Sequence, residues 1–185
     1  MTCVVAVLSD DGIWMGADSA GSNDEGVDVR KDRKLASRNG FLYGFCGSFR
    51  VWQVAKYNFT EPVHPDDMDV DDYIYCRWVP ELQKTFTDNN VSFSDNPETK
   101  ILLAYQNRVF TVESDFQVGE TMLDYASIGI GAPFALGALY SMDERWPTKD
   151  KIAVALNAAQ HFTGHVREPF HMEFLPYTVE FELDF

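Results

Sequence analysis

Thr2-Cys3-Val4-Val5-Ala6-Val7-Leu8, then Ser9-Asp10-Asp11-Gly12, then Ile13-Trp14-Met15-Gly16-Ala17, opens the chain and decides how the rest is read. The first and third pieces are apolar and rich in β-branched residues, and the four residues between them have the composition of a turn. A buried hairpin is predicted at the extreme N-terminus. Moving outward, the polar, glycine-bearing stretch Ser19 to Asp28 reads as a loop. Short strands follow around Val29 and over Lys34 to Ala36, then a turn at Asn39-Gly40 and the apolar run Phe41 to Cys46. Four or five short strands thus precede any helix. Ser48 is placed to cap a helix reaching about Tyr57. Asp71 to about Phe86 carries Ile74, Trp78 and Leu82 at helical spacing.

The second half repeats this order. Lys100 to Tyr105 and Arg108 to Glu113 flank Gln106-Asn107 as a hairpin, and Tyr125 to Ile130 is a further strand. Pro133 opens a helix through about Met142, as proline does in a first helical turn. Thr148 to about Phe162 is the last long helix, with Ile152, Ala155, Leu156 and Ala159 on one face. Met172 to Leu183 alternates as a strand. Strands, two helices, strands, two helices and a strand imply two sheets face to face with helices outside, an α+β four-layer αββα sandwich. At 185 residues, a single domain over 1–185 is expected.

Composition narrows the function classes. Apolar residues make up 45% and charged residues 24%, which is the balance of a globular chain. With 15 Lys and Arg against 29 Asp and Glu, the net charge is −14, a field that repels phosphate backbones and anionic membranes, so no nucleic-acid or membrane partner is expected. Cys3, Cys46 and Cys76 form neither a disulfide set nor a zinc motif, which favours a reducing, cytoplasmic setting. No apolar run near the N-terminus approaches the roughly 18 residues of a membrane helix. His161, His165 and His171 lack a neighbouring carboxylate and are interrupted by Gly164, so no metal is expected. The Asp-rich stretch Asp66 to Asp72 reads as a solvated loop running into a helix N-terminus.

Thr2-Cys3-Val4-Val5-Ala6-Val7, Met15-Gly16-Ala17-Asp18-Ser19-Ala20, Arg33-Lys34-Leu35, Phe45-Cys46-Gly47-Ser48 and Ser127 to Ala138 resemble, in order and spacing, the β-subunits of proteasomes, with HslV the relative nearest in size. The resemblance runs from Thr2 to about Gly164, and its strongest part is the joint spacing of Thr2, Asp18, Lys34 and Gly47. It implies the N-terminal-nucleophile hydrolase fold, a homo-oligomer of stacked rings, an AAA+ ATPase partner that feeds unfolded polypeptide, and no cofactor. It also places Gly21 and Phe45 against the substrate, Phe45 shaping the primary pocket toward small or medium apolar side chains. On the residues alone, Phe45 is equally well a core aromatic.

The implied chemistry has its own logic. If Met1 is removed, Thr2 carries both a hydroxyl nucleophile and an α-amine whose reference pKa near 8 suits it as the base. Lys34 would supply a positive charge beside that amine, Asp18 would hold Lys34, and the Gly47 N–H would face the developing oxyanion. Cys3 reads as an apolar strand residue.

The departures point the other way. Ile130 lies between Gly129 and Gly131 where the family usually has serine. Aligning Phe162-Thr163-Gly164 with the family's aromatic-Ser-Gly puts Gln160 at an aspartate position and Thr163 at a serine position. Losing a hydroxyl and a carboxylate beside the amine weakens its orientation. Two readings therefore stand: a threonine-type endopeptidase acting through Thr2, and a catalytically inert structural or assembly protein that retains Met1. A small-molecule amide hydrolase of the same broad fold has less support from the motifs.

Overall fold

The computed structural model describes residues 2–23 and 26–177. Strands β1 (Val4–Ser9), β2 (Gly12–Ala17), β3 (Ala20–Asn23), β4 (Gly26–Val29), β5 (Leu35–Arg38) and β6 (Phe41–Cys46) lead into helix α1 (Phe49–Tyr57). A second helical stretch runs as α2 (Val70–Tyr73), a π-helical turn (Ile74–Trp78) and α3 (Val79–Asp88). Then come β7 (Lys100–Tyr105), β8 (Arg108–Val112), β9 (Val118–Glu120), β10 (Tyr125–Ile128), α4 (Ala132–Tyr140), α5 (Thr148–Phe162) and β11 (His171–Pro176).

The opening hairpin is present, with Val4 opposite Ala17 and Ser9 opposite Gly12. It forms the centre of one antiparallel sheet ordered β10-β1-β2-β11, and a second sheet runs β5-β6-β7-β8-β9. Side-chain alternation then sets the layers. In β1, Val4 and Ala6 face the second sheet, where they pack with Leu35, Leu42, Leu102 and Ala104. Cys3, Val5 and Val7 face the other way, onto Ala135, Ile152, Leu156 and Ala159 of α4 and α5. On β6, Phe41, Tyr43 and Phe45 turn outward to α1 and α3, meeting Trp52, Trp78, Leu82 and Phe86. Helices, sheet, sheet and helices stack as the predicted four layers.

The differences from the sequence reading have local causes. Ser19 to Asp28 is not a loop throughout: it holds the β3–β4 hairpin, with Ala20 opposite Val29. This ribbon pairs through its backbone and has no apolar alternation to announce it. The helix expected over Asp71 to Phe86 contains a π-helical turn in which the Val79 N–H reaches back to the Ile74 carbonyl. Pro80 follows immediately and has no N–H for the Cys76 carbonyl, so the regular ladder is broken there. β9, with only three residues, is too short to leave an alternating pattern in the sequence. The strand at Tyr125 stops at Ile128 rather than Ile130, because Gly129 adopts φ +94. The predicted tail strand is realised as β11 over His171–Pro176, and its remainder past 177 lies outside the described residues. No helix among the described residues is long and apolar enough to cross a membrane.

Candidate active site

β1, β2 and the start of β5 bring three of the predicted residues to one end of the first sheet. Thr2 precedes β1, Asp18 follows β2, and Lys34 precedes β5, and all three are about 1% exposed. The Lys34 Nζ donates to Asp18 Oδ1 at 2.7 Å. That same oxygen accepts the Cys3 N–H at 3.1 Å, so Lys34 and the peptide unit joining Thr2 to Cys3 share one acceptor. Asp18 Oδ2 accepts the N–H groups of Ala20 at 2.9 Å and Arg167 at 3.3 Å. Asp18 is thus a satisfied carboxylate tying together β1, β2, β3 and the segment after α5. A buried carboxylate is tolerated only with such a complement of donors. Burial pushes the Lys34 ammonium below its ordinary pKa, and the neighbouring Asp18 charge opposes that shift.

Two glycines shape the space beside Thr2. The Thr2 carbonyl accepts the Gly131 N–H at 3.1 Å. A Cβ on Gly129 would collide with that carbonyl oxygen and lie 3.4 Å from the Cys46 Cβ, which puts the β6–α1 corner next to Thr2. Gly47, one residue further, has φ +97, and a Cβ there would run into Thr99. Only glycine fits both the backbone and the space. Gly47 lines a groove of about 400 Å³ with Ser48, Phe49, Asn96 and Thr99.

Phe45 is 1% exposed, stacked on Trp52 at 5.0 Å and edge-on to Phe49 at 5.2 Å. The Arg30 guanidinium lies 4.1 Å from the Phe49 ring centroid, and its side-chain stem fills the space beside Gly21. Gly21 and Phe45 therefore belong to one neighbourhood, with Arg30 and Phe49 between them. Arg30 is itself bound by Asp32 through two nitrogens.

The remaining predicted residues are dispersed. Ile130, between the two glycines that flank the Thr2 carbonyl, is 46% exposed and lines a cleft of about 770 Å³ with Lys100, Leu123, Tyr125 and Leu136. The Gln160 Oε1 accepts the Glu168 N–H at 2.7 Å. The Thr163 Oγ1 is buried without a partner among the described residues. Of the histidines, His161 sits edge-on to Phe162, and the His165 Nδ1 is buried without a partner among the described residues. Cys3 and Cys46 are buried thiols pushed up to about 12 and about 11 by desolvation, which disfavours the thiolate form at both.

The backbone donors of Ala20 and Arg167 on Asp18, and Thr99 behind Gly47, had no signal in the sequence. A backbone N–H has no letter of its own, and Arg167 lies 149 residues from Asp18.

The sequence matches no protein-family model and no curated protein. Among solved structures, the chain superposes on Thiobacillus denitrificans BPH in complex with epoxomicin with a TM-score of 0.80 at 19% identity, covering 96% of this chain and 100% of that one. Eukaryotic HslV from Trypanosoma brucei gives 0.72 at 17% identity over 95% and 99%. Anbu, described as an ancestral beta-subunit, from Yersinia bercovieri gives 0.71 at 13% identity over 94% and 81%. The four stacked layers, the antiparallel hairpin that carries Thr2 at its start, and these superpositions together give the chain the proteasome-type N-terminal-nucleophile hydrolase fold.

Proposed function

We propose that this chain is a threonine-type endopeptidase subunit of a self-compartmentalising homo-oligomer. The observation that carries the reading is the water-excluded Lys34–Asp18 pair, whose shared oxygen also holds the Cys3 N–H. A buried ammonium next to the first residues of the chain serves an N-terminal nucleophile: it lowers the proton affinity of a nearby α-amine and stabilises negative charge on a neighbouring oxygen. After removal of Met1, the Thr2 Oγ1 attacks the scissile carbonyl while its own α-amine takes the hydroxyl proton. The oxyanion forms toward the Gly47 N–H. The tetrahedral intermediate expels the peptide amine, which leaves with the proton held by the α-amine, and water then hydrolyses the ester.

Assembly into a homo-oligomer is supported by α4, which carries no charged residue, and by the exposed Phe134, Tyr140 and Phe162 on α4 and α5. An apolar surface of this kind is what a second copy covers. An AAA+ ATPase feeding unfolded polypeptide to the chamber completes the reading.

A second reading, an inert structural subunit, is favoured by Gln160, whose side chain is occupied by the Glu168 N–H, and by Ile130, whose side chain is turned partly to solvent. Intact mass separates the two at the first step: a threonine peptidase must lack Met1. Exposure to a peptide epoxyketone, which closes a ring on both the hydroxyl and the free α-amine of one N-terminal residue, decides the second. Enzyme gives a stoichiometric adduct that Thr2→Ala abolishes. A Met1-free protein without adduct is the inert subunit. Light scattering that gives a monomer at micromolar concentration and physiological salt would remove the assembly part of the proposal.

A further inference from the structure

The segment that follows α5 contributes no side chain to Asp18, yet it contributes an N–H. The Arg167 N–H points at Asp18 Oδ2 at 3.3 Å, and the Arg167 carbonyl accepts the Ser19 N–H at 2.8 Å. The Ser19 hydroxyl reaches the Pro169 carbonyl at 2.5 Å. Residues 167–169 therefore form a backbone strap across Asp18 and Ser19. One end of the strap is fixed by Val166, which is fully buried against the α5 core. Its middle residue is held by the Gln160 Oε1, which accepts the Glu168 N–H at 2.7 Å.

We propose that Gln160 is a positioning residue for Asp18, acting through the strap: its carboxamide oxygen holds the Glu168 N–H, which keeps Arg167 facing Asp18 and so keeps Asp18 facing Lys34. The inference rests on the reading of Asp18 and Lys34 as catalytic machinery. It assigns Gln160 a task other than contact with the α-amine. The geometry of that task is specific. The acceptor must stand at the end of a side chain two methylenes long, because Gln160 lies in the last turn of α5 while Glu168 lies on the returning segment. Glutamate reproduces the length and the acceptor, and methionine reproduces the length alone.

The test compares Gln160→Met with Gln160→Glu in the full-length protein. Hydrogen–deuterium exchange reads the strap without requiring catalysis. Expected is roughly fivefold faster exchange in Gln160→Met, both in peptides over 163–170 and in a peptide spanning 16–22, where the Ser19 N–H loses its acceptor, with wild-type exchange in Gln160→Glu. Peptide hydrolysis is expected to lose roughly fivefold in kcat with KM unchanged in Gln160→Met and to be retained in Gln160→Glu. Faster exchange confined to 163–170, or equal behaviour of the two variants, overturns the proposal. If the wild type, freed of Met1, forms no epoxyketone adduct, the peptidase reading fails, and the exchange of the 16–22 peptide still decides whether Gln160 positions Asp18.

Discussion

The Lys34 Nζ lies 2.7 Å from Asp18 Oδ1, with both side chains sealed from water, and the oxygen that receives it also receives the Cys3 N–H. Sixteen residues separate the two in sequence. Their meeting fixes the start of β1, the end of β2 and the approach to β5 around a single carboxylate.

The two halves of this pair are not equivalent. Lys34→Met leaves Asp18 with three backbone N–H donors, from Cys3, Ala20 and Arg167. Asp18→Ala leaves a buried ammonium with no counter-charge and three donors without their acceptor. Breaking a buried pair from one side costs about 3–5 kcal/mol. Denaturant unfolding is expected to place Asp18→Ala at the upper end of that range and Lys34→Met clearly below it.

Reactivity follows a different order. In the proposed reaction Lys34 supplies the charge beside the amine and Asp18 acts through it, so epoxyketone labelling is expected to fall most in Lys34→Ala and less in Asp18→Asn, which keeps an oxygen for the lysine. Rates of adduct formation on protein lacking Met1, with folding verified by circular dichroism, check the order.

Gly47→Ala meets two obstacles, the left-handed backbone at φ +97 and a collision with both the side chain and the backbone of Thr99. A loss of about 2–3 kcal/mol is expected from strain and overpacking together. Thr99→Ala in the same chain relieves the clash with the hydroxyl but neither the clash with the backbone of residue 99 nor the cost of the positive φ, and it removes the acceptor of the Ser48 N–H. Thermal unfolding of the double variant should therefore recover a minor part of the loss at most.

The thiols give a pH dependence with a definite sign. Burial pushes Cys3 from 9.0 to about 12 and Cys46 from 9.0 to about 11, so the folded chain keeps protons that the unfolded chain releases. Their contribution is fully present below pH 9 and is lost as pH rises toward those folded values, by roughly 1.4 kcal/mol per pH unit for each thiol. Lys34 works oppositely: its pKa is lowered by burial from 10.5, so its contribution grows as pH rises toward that value. Comparing wild type with Cys46→Ala across pH 8.5 to 10.5 isolates one thiol, and the variant should lose stability less steeply. In native protein only the exposed Cys76 should react rapidly with a thiol reagent.

Ile130→Ser and Gln160→Asp separate what the family pattern joins. Ile130 is half-exposed, so serine there is expected to change stability by less than about 0.5 kcal/mol and to leave epoxyketone reactivity equal to wild type or higher. Gln160→Asp shortens the side chain and withdraws the acceptor from the Glu168 N–H, and reactivity should fall. A double variant more reactive than Ile130→Ser alone would mean that the new carboxylate serves the amine directly.

What the sequence determined by itself was whatever short-range pattern encodes. The apolar, β-branched pieces around Ser9-Asp10-Asp11-Gly12 dictated the first hairpin, and the spacing of Ile152, Ala155, Leu156 and Ala159 dictated the buried stripe of α5. The positions of Thr2, Asp18, Lys34 and Gly47 were picked out by their joint spacing, through the resemblance to proteasome β-subunits, and not by the apolar pattern. The tertiary structure alone decided the β3–β4 ribbon, which pairs through a backbone that carries no side-chain signature, and the π-helical turn before Pro80, where a missing N–H competes with an otherwise helical pattern. It alone decided the strap from Arg167 to Pro169, because its hydrogen bonds join backbone atoms about 150 residues from Asp18 and Ser19. Such pairings depend on how two elements pack, and packing is a property of the whole chain rather than of any stretch of it.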